Sequence, residues 1–133
     1  MAEPFDRLEE TDLDRQGGRQ GVTGYRPGGF RIGKTWHDGH LLLLPTGVAA
    51  WPIGAIDELG ETSLVALRDV QPPADILLLG MGATASLVPF ELRRSLGSWG
   101  LAVEAMTTPA ACRTFNLLLA EERRVVAALF AMP

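Results

Sequence analysis

A strand–helix–strand pattern in residues 75–106 is the feature that most constrains the fold of this chain. Residues 75–79 and 101–106 are short apolar runs typical of buried strands, and residues 89–99 between them have helical periodicity. A connection of this length joins two parallel strands through a right-handed crossover. The pattern therefore predicts an α/β fold in which these two strands are parallel.

An N-terminal β-hairpin is predicted ahead of this unit. Residues 29–36 alternate between apolar and polar side chains, and residues 40–45 form a strongly apolar partner strand. His37, Asp38 and Gly39 lie between them and supply turn-forming residues. The hairpin is therefore expected to turn at these three residues.

Three further elements complete the predicted fold. Residues 61–70 favour a short helix that ends at a pair of prolines. Thr108 and Pro109 are typical of the N-cap and first residue of a helix, whose apolar residues surround most of its girth and predict burial. The unbroken apolar run 125–131 predicts a central strand covered on both faces.

Length and composition predict a single domain preceded by an arm. A chain of 133 residues fits one domain with a sizeable core. Residues 1–21 are polar and acidic, which predicts a mobile arm before an α/β domain at residues 22–133. The alternative is a short helix that docks weakly through Phe5, Leu8 and Leu13.

Charge and cysteine content exclude several classes of protein. The formal net charge is −4, and the first 20 residues hold six acids against three arginines, so the domain itself is nearly neutral. A nucleic-acid binder needs a basic stripe, which the sequence lacks. The longest apolar run, 125–133, is far shorter than the ~20 residues that span a bilayer. The single cysteine and the absence of signal-peptide features predict a cytoplasmic protein.

Polar residues follow both strands of the strand–helix–strand unit. Because the carboxyl ends of parallel strands meet at one edge of a sheet, the residues after them are expected to share a cleft. Arg113 and Asn116 lie three residues apart in the following helix and share a face. The candidate ligand pocket consists of Gly80, Gly82, Thr107, Thr108, Cys112, Arg113 and Asn116.

Two interpretations of Arg113 and Asn116 stay open at this point. They either lock the helix onto the sheet as a structural network or bind an anion or polar ligand. In both cases Arg113 is expected to be buried, so Arg113→Ala should destabilise the protein by about 1–3 kcal/mol. The turn at Gly80 and Gly82 partly fits a nucleotide-binding pattern, but the next helix starts too late for its N-terminus to face a phosphate. No cofactor is predicted.

The sequence does not indicate a reaction. Cys112 lies near a helix start, but a nucleophile needs a base, and the only histidines, His37 and His40, belong to the early hairpin. Cys112 is therefore expected to be a buried apolar residue that reacts slowly with thiol reagents. His37 and His40 are expected to be solvated turn residues, and no metal site is predicted.

Several motifs resemble a known family. They are the run Leu-Leu-Leu-Gly-Met-Gly at 77–82, the run Met-Thr-Thr-Pro-Ala-Ala-Cys-Arg-Thr-Phe-Asn at 106–116, and Arg-Arg-Val at 123–125. Together they look like a small family of uncharacterised bacterial and archaeal proteins that includes mitochondrial complex I assembly factor 3 and the adipogenesis-associated domain protein. The resemblance implies a three-layer α/β fold with a mixed central sheet, its last strand antiparallel to its neighbours. Glu122 stands where glycine is common in this family, and Phe115 where tyrosine is common.

The resemblance implies a role in binding, since no enzyme activity is attached to the family. Its mitochondrial members assemble a respiratory complex through protein contacts. The main hypothesis is therefore an assembly-factor-like domain with a protein partner. The alternative is a protein that binds a small molecule or anion, or an enzyme that uses the pocket at Gly80 and Arg113. The oligomeric state is open, although the apolar strand 41–44 could pair between protomers.

Overall fold

The computed structural model describes residues 19–133 together with the backbone of Asp6 and Arg7. These residues form nine strands and two α-helices. In chain order they are β1 (Asp6–Arg7), β2 (Val22–Arg26), β3 (Gly29–Ile32), β4 (Thr35–Asp38), β5 (Leu41–Leu44), β6 (Gly47–Ala50), β7 (Ile76–Gly80), α1 (Phe90–Ser98), β8 (Ala102–Met106), α2 (Thr108–Ala120) and β9 (Val125–Leu129).

The first four strands form an antiparallel sheet in the order β1-β2-β3-β4. Ile32 pairs with Thr35, so the chain reverses at residues 33–34, where Gly33 has a φ of +58° that favours glycine. The predicted hairpin between 29–36 and 40–45 is therefore wrong. The turns at 33–34 and at 37–39 both contain a glycine, and the hairpin closes at the first of them. Near Gly39 the chain passes to a second sheet.

The second sheet has the order β6-β5-β9-β7-β8 and mixes parallel with antiparallel pairs. β7 is parallel to β8, as the strand–helix–strand pattern predicted, and β9 lies at the centre with all five residues buried. The mixed α/β class is confirmed. The last strand is antiparallel to β5 but parallel to β7, which corrects the expectation that it would run against both neighbours.

The two faces of the five-stranded sheet are covered by different elements. Leu92 and Leu96 of α1 pack against one face together with Leu64 and Leu67 of a 3₁₀ segment, Thr62–Leu67. The opposite face packs against α2 and the four-stranded sheet. The result is the predicted three-layer arrangement, with the sheet as its middle layer.

The N-terminal arm of the sequence analysis lies largely outside the described residues. Asp6 and Arg7 pair with Tyr25 and Gly24. Arg19 contacts the domain, since its Nη1 donates a hydrogen bond to the carbonyl oxygen of Val125 at 2.8 Å. Whether the rest of this segment moves stays a prediction. Among the described residues, neither helix has the length and apolar character needed to cross a bilayer.

Candidate functional site

The loop after β7 contacts the first turn of α2. The Thr108 N–H donates a hydrogen bond to the Gly82 carbonyl oxygen at 2.9 Å, and the Gly82 N–H donates to the Thr108 hydroxyl oxygen at 2.8 Å. Two of the predicted pocket residues are therefore joined to each other directly. Both are buried.

The Thr108 hydroxyl joins neighbouring elements of the fold and does not cap the helix. It donates a hydrogen bond to the carbonyl oxygen of Phe130 at 2.6 Å, so that one side chain connects the β7 loop, α2 and the end of β9. The N-cap residue is Thr107, which makes no side-chain capping bond. The prediction of Thr108 as N-cap is wrong because the hydroxyl points to the neighbouring strands instead of the helix's own N–H groups.

Gly80 allows α2 to approach the end of β7 closely. A Cβ atom at this position would lie 2.9 Å from Cδ2 of Leu129 and 3.0 Å from Oγ1 of Thr108. Gly82 has a φ of +82°, which a glycine adopts without strain. The backbone geometry and the close packing therefore explain why glycine occupies both positions, without reference to a nucleotide.

Cys112 lies on the inner face of α2 and is fully buried, with 0% of its surface exposed. Removal of the thiol from water raises its pKa to about 12, although the neighbouring Arg113 charge acts in the opposite direction. The thiolate needed for nucleophilic attack or metal binding is therefore absent at neutral pH. The structure agrees with the interpretation of Cys112 as a buried apolar residue.

Arg113 is exposed on the outer side of α2, so the prediction of a buried guanidinium is wrong. Ala111, Phe115 and Leu119 face the core at helical spacing and leave position 113 on the opposite side. Leu117, also on that side, is 59% exposed, so the helix is not buried around its whole girth as predicted.

Asn116 faces a different part of the molecule from Arg113. Its Oδ1 accepts a hydrogen bond from the Val22 N–H, and its Nδ2 donates to the Val22 carbonyl oxygen, both at 2.8 Å. This side chain locks α2 onto β2. The structure thus brings Gly80, Gly82 and Thr108 together beside Thr107, but places Cys112, Arg113 and Asn116 elsewhere along α2. Binding of a ligand by these residues stays a prediction.

His40 is a structural residue at the crossing between the two sheets. Its Nδ1 accepts a hydrogen bond from the Ala131 N–H at 2.9 Å, and its ring packs edge-on against Phe130 with centroids 5.1 Å apart. The prediction of a solvated turn residue is therefore wrong for His40. Within the described part of the chain, no three His, Cys, Asp or Glu side chains are grouped in a way that could hold a metal ion.

Two large apolar side chains that were not predicted from the sequence lie on the surface where α1 begins, Leu87 in the preceding loop and Phe90 as the first residue of the helix. Leu87 is 93% exposed and Phe90 is 73% exposed. Between them Val88 is buried, which anchors the segment. A signal was present in the sequence, since position 90 lies off the stripe formed by Leu92 and Leu96.

A separate cavity of about 280 Å³ lies between β3, the turn after β5 and α2. The Arg19 guanidinium borders it, 5.4 Å from the centre of the Phe115 ring. Burial lowers the pKa of Arg19, but an arginine stays charged at neutral pH. Arg19 belongs to the arm predicted from the sequence, and its contact with the Phe115 ring was not predicted.

Residues 22–130 match a family model described as a protein of unknown function (DUF498/DUF598). The chain belongs to this family. The resemblance inferred from the sequence motifs is therefore confirmed.

The similar proteins include bacterial and animal sequences. An uncharacterised protein of Rhodobacter capsulatus is 40% identical over 112 residues, which cover 84% of this chain and 85% of that protein. NADH dehydrogenase [ubiquinone] 1 alpha subcomplex assembly factor 3 of Danio rerio is 34% identical over 84% of this chain and 64% of its own length. The chain thus spans slightly less than two thirds of that assembly factor.

Solved structures share the fold. A crystal structure of a Bordetella parapertussis protein has a TM-score of 0.76 and 35% identity, covering 85% of this chain and 96% of its own. The solution structure of a Bordetella pertussis protein, described as an Mth938-like domain, has a TM-score of 0.71 and 28% identity over 98% of this chain and 92% of its own.

Proposed function

We propose that this chain is a non-catalytic binding domain that acts in the cytoplasm as an assembly factor for the NADH dehydrogenase complex. The role is extended to this chain from the names of its relatives, such as assembly factor 3 of Danio rerio. The observation that carries the proposal is the exposed pair Leu87 and Phe90, which offers a surface for a protein partner.

This surface is held in place before any partner arrives. Val88 inserts into the core between the two exposed residues, and the Ser86 N–H contacts the Met81 sulfur at 3.4 Å. A binding surface that is already ordered loses less conformational entropy on association. Leu87 and Phe90 are therefore suited to act as anchors in a complex.

The chemistry of the surrounding loop indicates the kind of partner. Residues 83–90 carry no charged side chain. The contact would be formed mainly by burial of apolar area, so the partner should present an apolar patch. An unassembled subunit has such an apolar patch where it will later contact another subunit.

The polar groups of the first candidate site favour binding over catalysis. The Thr108 hydroxyl and the Asn116 carboxamide are both engaged by backbone groups, and the Cys112 thiol is held neutral. An enzyme using these residues would have to break contacts that hold the layers together.

Gene replacement tests this function. The double variant Leu87→Ser/Phe90→Ser is introduced in place of the natural gene in cells that make this protein, and the amount of assembled NADH dehydrogenase is measured by native gel and activity stain. We expect a fall several-fold below the wild-type level at equal amounts of the variant protein. The control is Leu117→Ser, which removes another exposed leucine, 59% exposed, from α2 and should have no effect. Normal assembly in cells that lack the gene altogether would refute the proposal.

A further inference from the structure

The two edge strands of the five-stranded sheet differ in how they are protected. At the β8 edge the Arg93 guanidinium donates a hydrogen bond to the Val103 carbonyl oxygen at 3.0 Å. Proteins commonly blunt exposed strand edges with charged side chains in this way, which prevents pairing with other chains. The opposite edge, β6, consists of Gly47, Val48, Ala49 and Ala50, and has no charged or hydrogen-bonding side chain.

The backbone of β6 turns unused hydrogen-bonding groups outward. The Trp51 N–H donates to the His40 carbonyl oxygen at 2.9 Å. This bond shows which residue pairs between β5 and β6 are hydrogen-bonded and which are not. Because bonded and non-bonded pairs alternate in an antiparallel ladder, Ala49 faces β5 while Val48 and Ala50 direct their N–H and C=O groups away from it. Within residues 19–133 no strand lies beyond β6 to receive them.

We propose that β6 pairs antiparallel with β6 of a second copy of this chain, joining the two five-stranded sheets into one. A two-fold axis through Ala49 brings Val48 of one copy opposite Ala50 of the other. Each of these pairs can exchange two N–H···O bonds across the junction. The interface is isologous, because each copy contributes the same residues.

The chemistry of β6 favours a second copy over a different partner. Glycine, valine and alanine offer no side-chain group that would select another sequence. A second copy carries outward N–H and C=O groups at the same two positions, Val48 and Ala50, so one two-fold pairing satisfies both edges. Charge does not oppose the approach, because residues 21–133 carry only one of the four net negative charges. The two-fold contact uses the β6 edge of both copies, so pairing ends at a dimer. At the other end of each sheet, Arg93 occupies the Val103 carbonyl oxygen and disfavours continuation into a fibre.

Strand 41–44, which the apolar sequence offers as a candidate for pairing between protomers, is excluded from that role. Leu41–Leu44 lies between β6 and β9 and is bonded on both sides. The neighbouring β6 holds the free edge instead. Pro52, which has no N–H, follows two residues after Ala50 and keeps the exposed edge short.

Sedimentation equilibrium of the full chain, from micromolar to millimolar concentration, tests the dimer with a matched pair of variants. Ala50→Lys and Ala102→Lys each place a lysine at an exposed alanine, at opposite edges of the same sheet. Ala50→Lys should raise the dimer dissociation constant by about tenfold or more, because antiparallel pairing brings two ammonium groups onto diagonal positions roughly 8 Å apart at their backbones. Ala102→Lys should leave the dimer unchanged.

Amide hydrogen exchange of the wild-type protein provides a second measurement that needs no variant. The Val48 and Ala50 amides should become more protected as protein concentration rises, while the Ala102 amide, bonded to the Asp75 carbonyl oxygen, should not change. A wild-type protein that is monomeric at every concentration overturns the proposal, as does a dimer that Ala50→Lys leaves intact. Protection of Val48 and Ala50 that is independent of concentration would show that another segment of the chain covers β6, and this also overturns it.

Discussion

The carboxamide of Asn116 satisfies both backbone polar groups of Val22, through two hydrogen bonds of 2.8 Å each. The two residues are 94 positions apart, so this contact fastens α2 to the first long strand of the four-stranded sheet. Val22 is fully buried, and its amide therefore depends on Asn116 for a partner. The polar side chain of Asn116 therefore has a structural role within α2.

Asn116→Ala should destabilise the protein by about 1–3 kcal/mol, because the substitution leaves the Val22 N–H and C=O unsatisfied. Arg113→Ala, less than one helical turn earlier and exposed, should change stability by less than about 0.5 kcal/mol. Urea denaturation of both variants measures the difference. Equal losses at the two positions would show that the Asn116 contact contributes little.

The substitution Thr108→Val should lower the free energy of unfolding more than Thr107→Val does. Valine keeps nearly the same shape at position 108 but removes the hydroxyl that bonds Gly82 and Phe130, so we expect a loss of about 2 kcal/mol or more. Thr107 makes no capping bond with its side chain, and its substitution should cost less than about 0.5 kcal/mol. Thermal unfolding of the pair distinguishes them; similar melting temperatures would contradict the assigned role of Thr108.

Local patterns in the sequence were sufficient to predict part of this fold. The unit formed by β7, α1 and β8 could be predicted because its strand and helix signals lie within 31 consecutive residues, Ile76 to Met106. The hairpin could not, because both 33–34 and 37–39 contain turn residues and only contacts with distant strands decide between them. The position of β5 between β6 and β9 is such a long-range contact.

The candidate site was less predictable than the fold. The spacing of Ala111, Phe115 and Leu119 was sufficient to place Arg113 on the exposed side of α2, but the apolar composition of the helix obscured this pattern. The roles of Thr108 and Asn116 depend on partners 22 and 94 residues away, which no local pattern indicates.

Glu122 adopts a left-handed backbone conformation, with a φ of +59°, at the end of α2. This is the position where the family resemblance indicated glycine. Because a residue with a Cβ atom is strained there, Glu122→Gly should stabilise the protein by about 1 kcal/mol. Glu121→Gly is the control, since Glu121 has a φ of −86° and gains nothing from glycine. Denaturant midpoints that fall equally in the two variants would contradict this account.

Burial of Cys112 should make the free energy of unfolding fall as the pH becomes alkaline. Burial raises its pKa from an ordinary 9.0 to about 12, so between these values the unfolded chain binds fewer protons than the native one. The stabilising contribution present below about pH 9 is therefore lost as pH rises, with a slope of at most about 1.4 kcal/mol per pH unit. Cys112→Ala should lack this slope in denaturant titrations between pH 8 and 10.5. Parallel pH profiles for the two proteins would mean that the thiol is not desolvated.

The central claim is that Leu87 and Phe90 contact a protein partner, and quantitative affinity capture tests it most directly. Tagged wild-type protein, Leu87→Ser/Phe90→Ser and Leu117→Ser are captured at equal levels from cells that make this protein, and subunits of NADH dehydrogenase are quantified by mass spectrometry. The account predicts that these subunits are enriched with the wild type and Leu117→Ser and lost with the double variant. Equal recovery with the double variant, or no enrichment with the wild type over an untagged control, would contradict it.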